Sequence, residues 1–379
     1  MKTKNAKIDW NRYRKEFPAA KRYIYFNHAA VSPLSTRVIE AMNAVSNGFR
    51  AKGVLCEEEV FVRIEKARKS AARLIGARSG EIAFVKNTTQ GVLLAANGIR
   101  WKRGDNVVMP SIEFPANVFP WLGLEKRGVR VIFVKPREGR ITAEMLERAC
   151  TARTRCVTVS SVQFSNGYRV DLAKLGRFCR ERGIYLHVDG IQSLGMLRCD
   201  VRAAGIDFLS TGGHKWLLGP VGTGFFYCRR ELLDELDVSN PGWRGVKNAW
   251  SFFDHDPTPR ADAARFEEGT LNLYGIAGLG ASLDRFLEIG TANVERRILG
   301  LTESLEEGLR SRGYRIASPR GDGERSGILC FRHPKIKTES LYKKLGAARV
   351  VVSLRTGTIR LTPHFYNTER EVERVLDLL

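Results

Sequence analysis

The sequence predicts an α/β protein: a doubly wound, mostly parallel sheet followed by a smaller α+β unit. From about residue 35 to 250, apolar strand-like runs alternate with amphipathic helical stretches, the pattern of βαβ units. After about residue 276 the order changes to a long helical stretch and then several short strands. The 379 residues, 43% of them apolar, are enough for two or three domains at roughly 150 residues each.

The strand candidates of the first part are Glu81–Val85, Asn106–Met109, Val129–Val134, Cys156–Val159, Ile184–Val188, Phe208–Ser210 and Gly224–Tyr227, each short and rich in β-branched or aromatic residues. Between them Val60–Leu74 sets Ile64, Ala67, Ala71 and Leu74 on one helical face, and Leu172–Arg182 is a second helix candidate. Residues 240–263, with Pro241, Pro257 and Pro259, read as an irregular surface loop. One long helix is expected from about Ile276 to Leu309, then strands at Ile328–Phe331, Val350–Leu354 and Thr358–Leu361. No repeat, low-complexity tract or Ser/Gly linker interrupts the chain, so the domains are expected to share an interface.

Composition narrows the function. Lys and Arg number 62 against 41 Asp and Glu, a net charge of +21 that suits polyanions, acidic substrates or a membrane surface. No zinc-finger spacing, RNP-like segment or long basic block accompanies it, so neither nucleic acid nor membrane is expected as a partner. The seven cysteines (56, 150, 156, 179, 199, 228 and 330) form no CxxC pair and no ligand spacing, which argues against a zinc site or a disulfide framework. With no apolar leader in residues 1–25 and no membrane-length apolar run, the expectation is a soluble, cytoplasmic protein.

Chemistry concentrates at expected strand ends. Lys215, in Gly212-Gly213-His214-Lys215-Trp216, follows an apolar strand in a loop with few side chains, where desolvation favours a neutral amine able to form a Schiff base. Taken alone it reads as a solvated loop lysine. Asp189 ends the neighbouring strand, so in a parallel sheet it reaches the same crevice and needs a cationic partner. A protonated pyridine nitrogen is such a partner; a capping aspartate in Asp189-Gly190 is the alternative. Thr88-Thr89-Gln90-Gly91 opens a helix after the first strand and offers free N–H groups and two hydroxyls to a phosphate, or an ordinary threonine N-cap.

The runs Val188-Asp189-Gly190-Ile191-Gln192-Ser193-Leu194-Gly195, Gly212 to Trp216, Gly219-Pro220-Val221-Gly222-Thr223-Gly224 and Arg265-Phe266-Glu267-Glu268-Gly269-Thr270 closely resemble the class V aminotransferases, across nearly the whole chain. These fold-type I pyridoxal phosphate enzymes include cysteine desulfurases, selenocysteine lyases and isopenicillin N epimerase-like proteins. The resemblance implies a large domain with a mostly parallel seven-stranded sheet between helices (residues 26–272), a small α+β C-terminal domain (residues 273–379), and an N-terminal arm (residues 1–25) packed on the small domain. It implies pyridoxal 5'-phosphate as cofactor, Lys215 as the Schiff-base lysine, Asp189 as the pyridinium partner and Gln192 as donor to the cofactor's ring oxygen. Thr88 and Thr89 would bind the phosphate with His214 nearby, and Thr270 would reach the phosphate of the other subunit of a homodimer. Gly212 stands where many relatives carry a serine, so Thr211 is a candidate for that hydroxyl.

By the same resemblance Phe114 stacks on the cofactor, where desulfurases carry a histidine; phenylalanine stacks but moves no proton. Arg360 matches the arginine that holds the substrate carboxylate, as a planar fork suits. Asn27 and His28 fall near the substrate side, although a structural, hydrogen-bonded histidine is an equal reading of His28. Only Thr358 and Ile359 separate Gly357 from Arg360, and no cysteine lies in the loop where desulfurases carry their catalytic thiol, so persulfide-forming desulfuration is not expected. The expected enzyme removes the α-proton of an amino acid through a Schiff base and a quinonoid carbanion. Transamination is the leading outcome, with a lyase or an epimerase as the alternative.

Overall fold

The computed structural model describes residues 8–379. The seven residues before that belong to the expected N-terminal arm and lie outside the described residues. A short helix (Trp10–Arg14) precedes the first strand, β1 (Ile24–Tyr25), and the seven strands of the main sheet follow: β2 (Ile82–Val85), β3 (Asn106–Pro110), β4 (Arg130–Val134), β5 (Thr154–Ser160), β6 (Tyr185–Asp189), β7 (Phe208–Gly212) and β8 (Gly224–Cys228). Their order is β2-β8-β7-β6-β5-β3-β4. Only β8 runs against its neighbours, so the other six point their carboxyl ends to one edge. Strands β2, β3, β7 and β8 are buried throughout, as expected of a sheet covered on both faces.

Helices cover that sheet. Helix Thr36–Lys52 starts on a Ser35 cap, and Glu57–Leu74 turns Val60, Ile64, Ala67 and Ala71 inward. Helix Thr88–Gly98 crosses β7 at close range through Gly91, where a Cβ would lie 2.7 Å from Ser210 Oγ. A side chain at 91 would push the helix, and with it residues 88 and 89, away from the sheet edge.

The single helix expected over 276–309 is two, Leu273–Ile289 and Thr291–Ser311. Gly290 breaks it with a φ of 85°, a left-handed conformation that glycine adopts at little cost. The expected boundary at 272/273 falls at the start of the first of these helices, whose Ile276, Leu279, Leu283 and Phe286 join the core of the large sheet. The second part holds β9 (Arg315–Ile316), β10 (Leu329–Arg332), β11 (Val350–Val351), β12 (Ser353–Arg355) and β13 (Thr358–Leu361). Strands β12-β13-β10-β9 form an antiparallel sheet, while β11 pairs with β1, so the run expected over 350–354 is split at Val352 between two sheets. A separate core of Phe26, Leu305, Leu329, Phe331, Leu345 and Val375 holds this part together. The N-terminal segment lies against it: Arg14 pairs with Glu371 at 2.8 Å and Phe17 stacks on Tyr366.

Candidate active site

The carboxyl edge of the main sheet opens into a cavity of about 550 Å³. Each wall is a strand end: Asn87 to Thr89 after β2, Phe114 after β3, Phe164 after β5, Asp189 at the end of β6, and His214 and Lys215 after β7. Arg355 and Arg360 enter from β12 and β13, and Ala29 to Val31 from the segment after β1. The crevice therefore lies where a doubly wound sheet places its ligands.

Lys215 is 8% exposed and its Nζ lies 5.2 Å above the Phe114 ring. Burial brings its ammonium down to about 8, only partly offset by Asp189. The loop is held by its main chain, with Gly213 N–H on the Thr223 carbonyl at 2.7 Å and Ser32 Oγ on the Lys215 carbonyl at 2.7 Å. Asp189 is 1% exposed, and burial pushes its carboxyl up to about 7 despite the Ile191 N–H on Oδ1. A buried acid beside a buried base, with one hydrogen bond from protein, is an arrangement that gains from a cationic ligand.

Helix Thr88–Gly98 presents its N-terminus to the same space. Asn87 caps it by accepting the Gln90 N–H at 2.9 Å. Thr88 is buried and its hydroxyl oxygen has no partner, an orphan that an anion would satisfy. His214 stands nearby, kept neutral first by burial and then by Lys215. Phe114 meets Phe164 edge to face at 5.2 Å. Its neighbour Glu113 is anchored by four donors, among them Ser160 N–H and Gln163 Nε2, both at 2.8 Å. Phe114 is thereby fixed at the cavity mouth.

Arg360 is 1% exposed and forms no ion pair among the described residues. Its Nη1 donates to the Phe164 carbonyl at 2.7 Å and its Nη2 to Ser353 Oγ at 3.3 Å, while Nε has no partner. Burial lowers it to about 10, still charged at neutral pH. The site thus holds a cation awaiting an anion.

Lys215, Asp189, Phe114, Thr88, Thr89, Gln192, His214 and Arg360 all line this one cavity, but four other residues expected at the site do not. His28 is fully buried behind it, with Nδ1 on the Thr362 carbonyl and Nε2 on the Tyr366 hydroxyl, both at 2.7 Å. Both ring nitrogens are used and burial lowers it to about 3, which fits the structural reading of His28 and leaves it no free nitrogen for a substrate. Asn27 is also outside the lining and accepts from Ser353 Oγ, which in turn meets Arg360. Thr270 is exposed beside a separate cavity of about 170 Å³, with Lys86, Gln90 and Glu268. Thr211 is wholly buried with its hydroxyl on the Gly212 carbonyl, so it lends no hydroxyl to the cavity.

Sequence reasoning passed over Asn87, Phe164, Ile191 and Arg355, although the first two lie just beyond strands and the strand-end rule could have found them. No cysteine lines the cavity. Strands β12 and β13 meet at Arg355 and Thr358, leaving only Thr356 and Gly357, both at positive φ, in a tight hairpin with no room for a thiol-bearing loop. The nearest thiol by register, Cys330 opposite Arg360, is buried and pushed up by desolvation.

Among the described residues no cluster could hold a metal ion and no helix is long and apolar enough to cross a membrane. A family model described as aminotransferase class-V matches residues 24–375. A probable cysteine desulfurase of Methanothermobacter thermautotrophicus is 33% identical over 95% of this chain and 94% of its own. Among solved structures, an apo cysteine desulfurase of Thermococcus onnurineus superposes with a TM-score of 0.88 at 26% identity, covering 98% of each chain. The cystine C–S lyase C-DES shares the fold at 24% identity, covering 95–96% of this chain and 98% of its own. It is solved with glycine covalently linked to its pyridoxal phosphate (TM-score 0.87) and with its product cysteine persulfide (TM-score 0.86).

Proposed function

Because the chain belongs to the class-V aminotransferase family and is a pyridoxal phosphate enzyme, we propose that it removes the β substituent of a small sulfur-bearing amino acid. It does so as a homodimer and without a protein thiol. The observation that carries this reading is one cavity holding a desolvated lysine amine and an unpaired buried arginine, with no cysteine.

The residues fit the cofactor. Thr88, Thr89 and the N–H groups of their helix suit its phosphate, Asp189 its ring nitrogen and Lys215 its aldehyde. When bound, the group supplies an electron sink that acidifies the α-hydrogen of an attached amino acid. Arg360 holds the substrate carboxylate through its free Nε edge. Lys215, whose lowered pKa of about 8 gives it a neutral fraction at neutral pH, takes the α-proton and returns one to the departing sulfur. Phe114 covers the opposite side and excludes water. Ala29, Ala30 and Ile191 leave a small apolar compartment for the side chain. Substrate and water together become a thiol or sulfide, a 2-oxo acid and ammonia, with no electron acceptor consumed.

Epimerisation by two bases is disfavoured, because Phe114 facing Lys215 carries no proton. Transamination is the second reading, since one mobile amine at 215 serves a proton shift as well as an elimination. Support for the homodimer is the exposed Thr270 and the exposed aromatic loop of Trp250, Phe252 and Phe253. In the dimer Thr270 reaches the partner's phosphate.

The test is to supply each amino acid to the loaded enzyme with and without a 2-oxo acid acceptor and identify the products. The proposal expects a 2-oxo acid, ammonia and sulfide or thiol with no acceptor present. Turnover only with an acceptor would establish transamination instead, and a D-amino acid product would establish epimerisation.

A further inference from the structure

We propose that Trp216 is a positioning residue that fixes the polarity of the Gln192 amide, so that the cavity meets an N–H donor and not a carbonyl at the cofactor's ring oxygen. This rests on the cofactor reading above.

Gln192 lines the cavity in the turn after β6 and is 2% exposed. The two ends of a primary amide are alike in size, so shape does not choose between them. Its neighbours do. Trp216 Nε1, which can only donate, lies 2.9 Å from Gln192 Oε1. The Ala29 carbonyl, which can only accept, lies 3.0 Å from Gln192 Nε2. A flipped amide would set N–H against N–H and oxygen against oxygen in a buried setting, the costliest arrangement for polar groups. One hydrogen of Nε2 is thus spent on Ala29, and the second is left for the cavity.

The indole is itself held. Trp216 is wholly buried, and its carbonyl accepts from His364 Nε2 at 2.9 Å, while His364 Nδ1 accepts the Phe365 N–H at 2.8 Å. Gly327 packs against the far end of the ring, where a Cβ would lie 2.9 Å from Cη2. Trp216 is the residue next to Lys215, so one short segment both places the reactive amine and sets the donor across from it. A donor at the ring oxygen favours the form carrying more negative charge there, the form that has lost its proton.

The experiment loads the Trp216→Phe protein with pyridoxal phosphate and follows its long-wavelength absorption against pH. Losing the indole N–H leaves Oε1 without a donor and only the Ala29 carbonyl to orient the amide, so Nε2 is no longer held toward the ring oxygen, and the titration midpoint rises by about one pH unit. Gln192→Met gives the same rise, and the double variant rises no further than either single change, because both act through one hydrogen bond. If phenylalanine at 216 fails to fold, benzothienylalanine there keeps the shape with sulfur in place of the N–H and carries the same prediction. An unmoved midpoint in a folded 216 variant, or additive shifts in the double variant, would overturn the inference. Absence in the parent protein of any long-wavelength band dependent on Lys215 would instead overturn the cofactor reading.

Discussion

Replacing Arg360 by leucine separates substrate capture from folding. The guanidinium is buried, unpaired, and holds Nε without a partner inside the cavity. Two charge-assisted hydrogen bonds to a carboxylate at about 1.5 to 3 kcal/mol each give at least about 3 kcal/mol, or about a hundredfold in kcat/KM. The fold gains in one respect and loses in another. Removing a buried cation with no anion relieves its desolvation, while the Phe164 carbonyl and Ser353 Oγ lose a donor. These effects oppose, so the unfolding free energy without cofactor should stay within about 1 kcal/mol of the parent, a shift of roughly 1 °C. Arg360→Lys keeps the charge but not the fork and should fall between the two in kcat/KM. The assay pairs steady-state kinetics on the best amino acid with thermal unfolding of the cofactor-free protein. An unchanged KM would refute the carboxylate site, and a collapse of the thermal midpoint would make Arg360 structural.

Asp189→Asn should stabilise the cofactor-free protein at pH 8. The folded acid keeps its proton up to about 7 against an ordinary 3.8, so its contribution to stability falls as pH rises through that window; the advantage of the variant should therefore vanish as pH drops to 4, read by urea unfolding. The same change should weaken cofactor binding, and equal affinity would contradict the pyridine contact. Thr88→Val leaves the fold intact, since its hydroxyl has no protein partner, but should raise the Kd for pyridoxal phosphate about tenfold or more by absorption titration. Glu267→Ala breaks a buried pair with Arg68 at 2.7 Å and removes the acceptor of the Phe84 N–H, and should cost about 3 to 5 kcal/mol of stability; a loss below about 1 kcal/mol would contradict it.

The legible part of the site is the part that sits at strand ends. Lys215, Asp189 and Thr88 could be placed together because parallel strands end at one edge, a rule that needs no side-chain detail. The sheet was legible for the same reason, through fully apolar runs such as Phe208–Leu209 and Phe225–Phe226. Less legible were features set by packing. His28 looks like a proton carrier until Thr362 and Tyr366, more than 300 positions along the chain, occupy both its nitrogens. The helix break at Gly290 hides inside an unbroken amphipathic pattern, since one glycine within a helical run is common. The split of the 350–354 run depends on β1 claiming Val350 and Val351, a pairing across the chain that no local pattern announces. Trp216 reads as core, which it is; its link to Gln192 emerges only when the loop after β7 folds beside the turn after β6.

The most direct check of the account is where the cofactor attaches. Reducing the loaded protein with borohydride and mapping the peptides by mass should find the pyridoxyl group on Lys215, with no such adduct in Lys215→Ala. Attachment at another lysine, or a full yield of adduct in the Lys215→Ala protein, would contradict it.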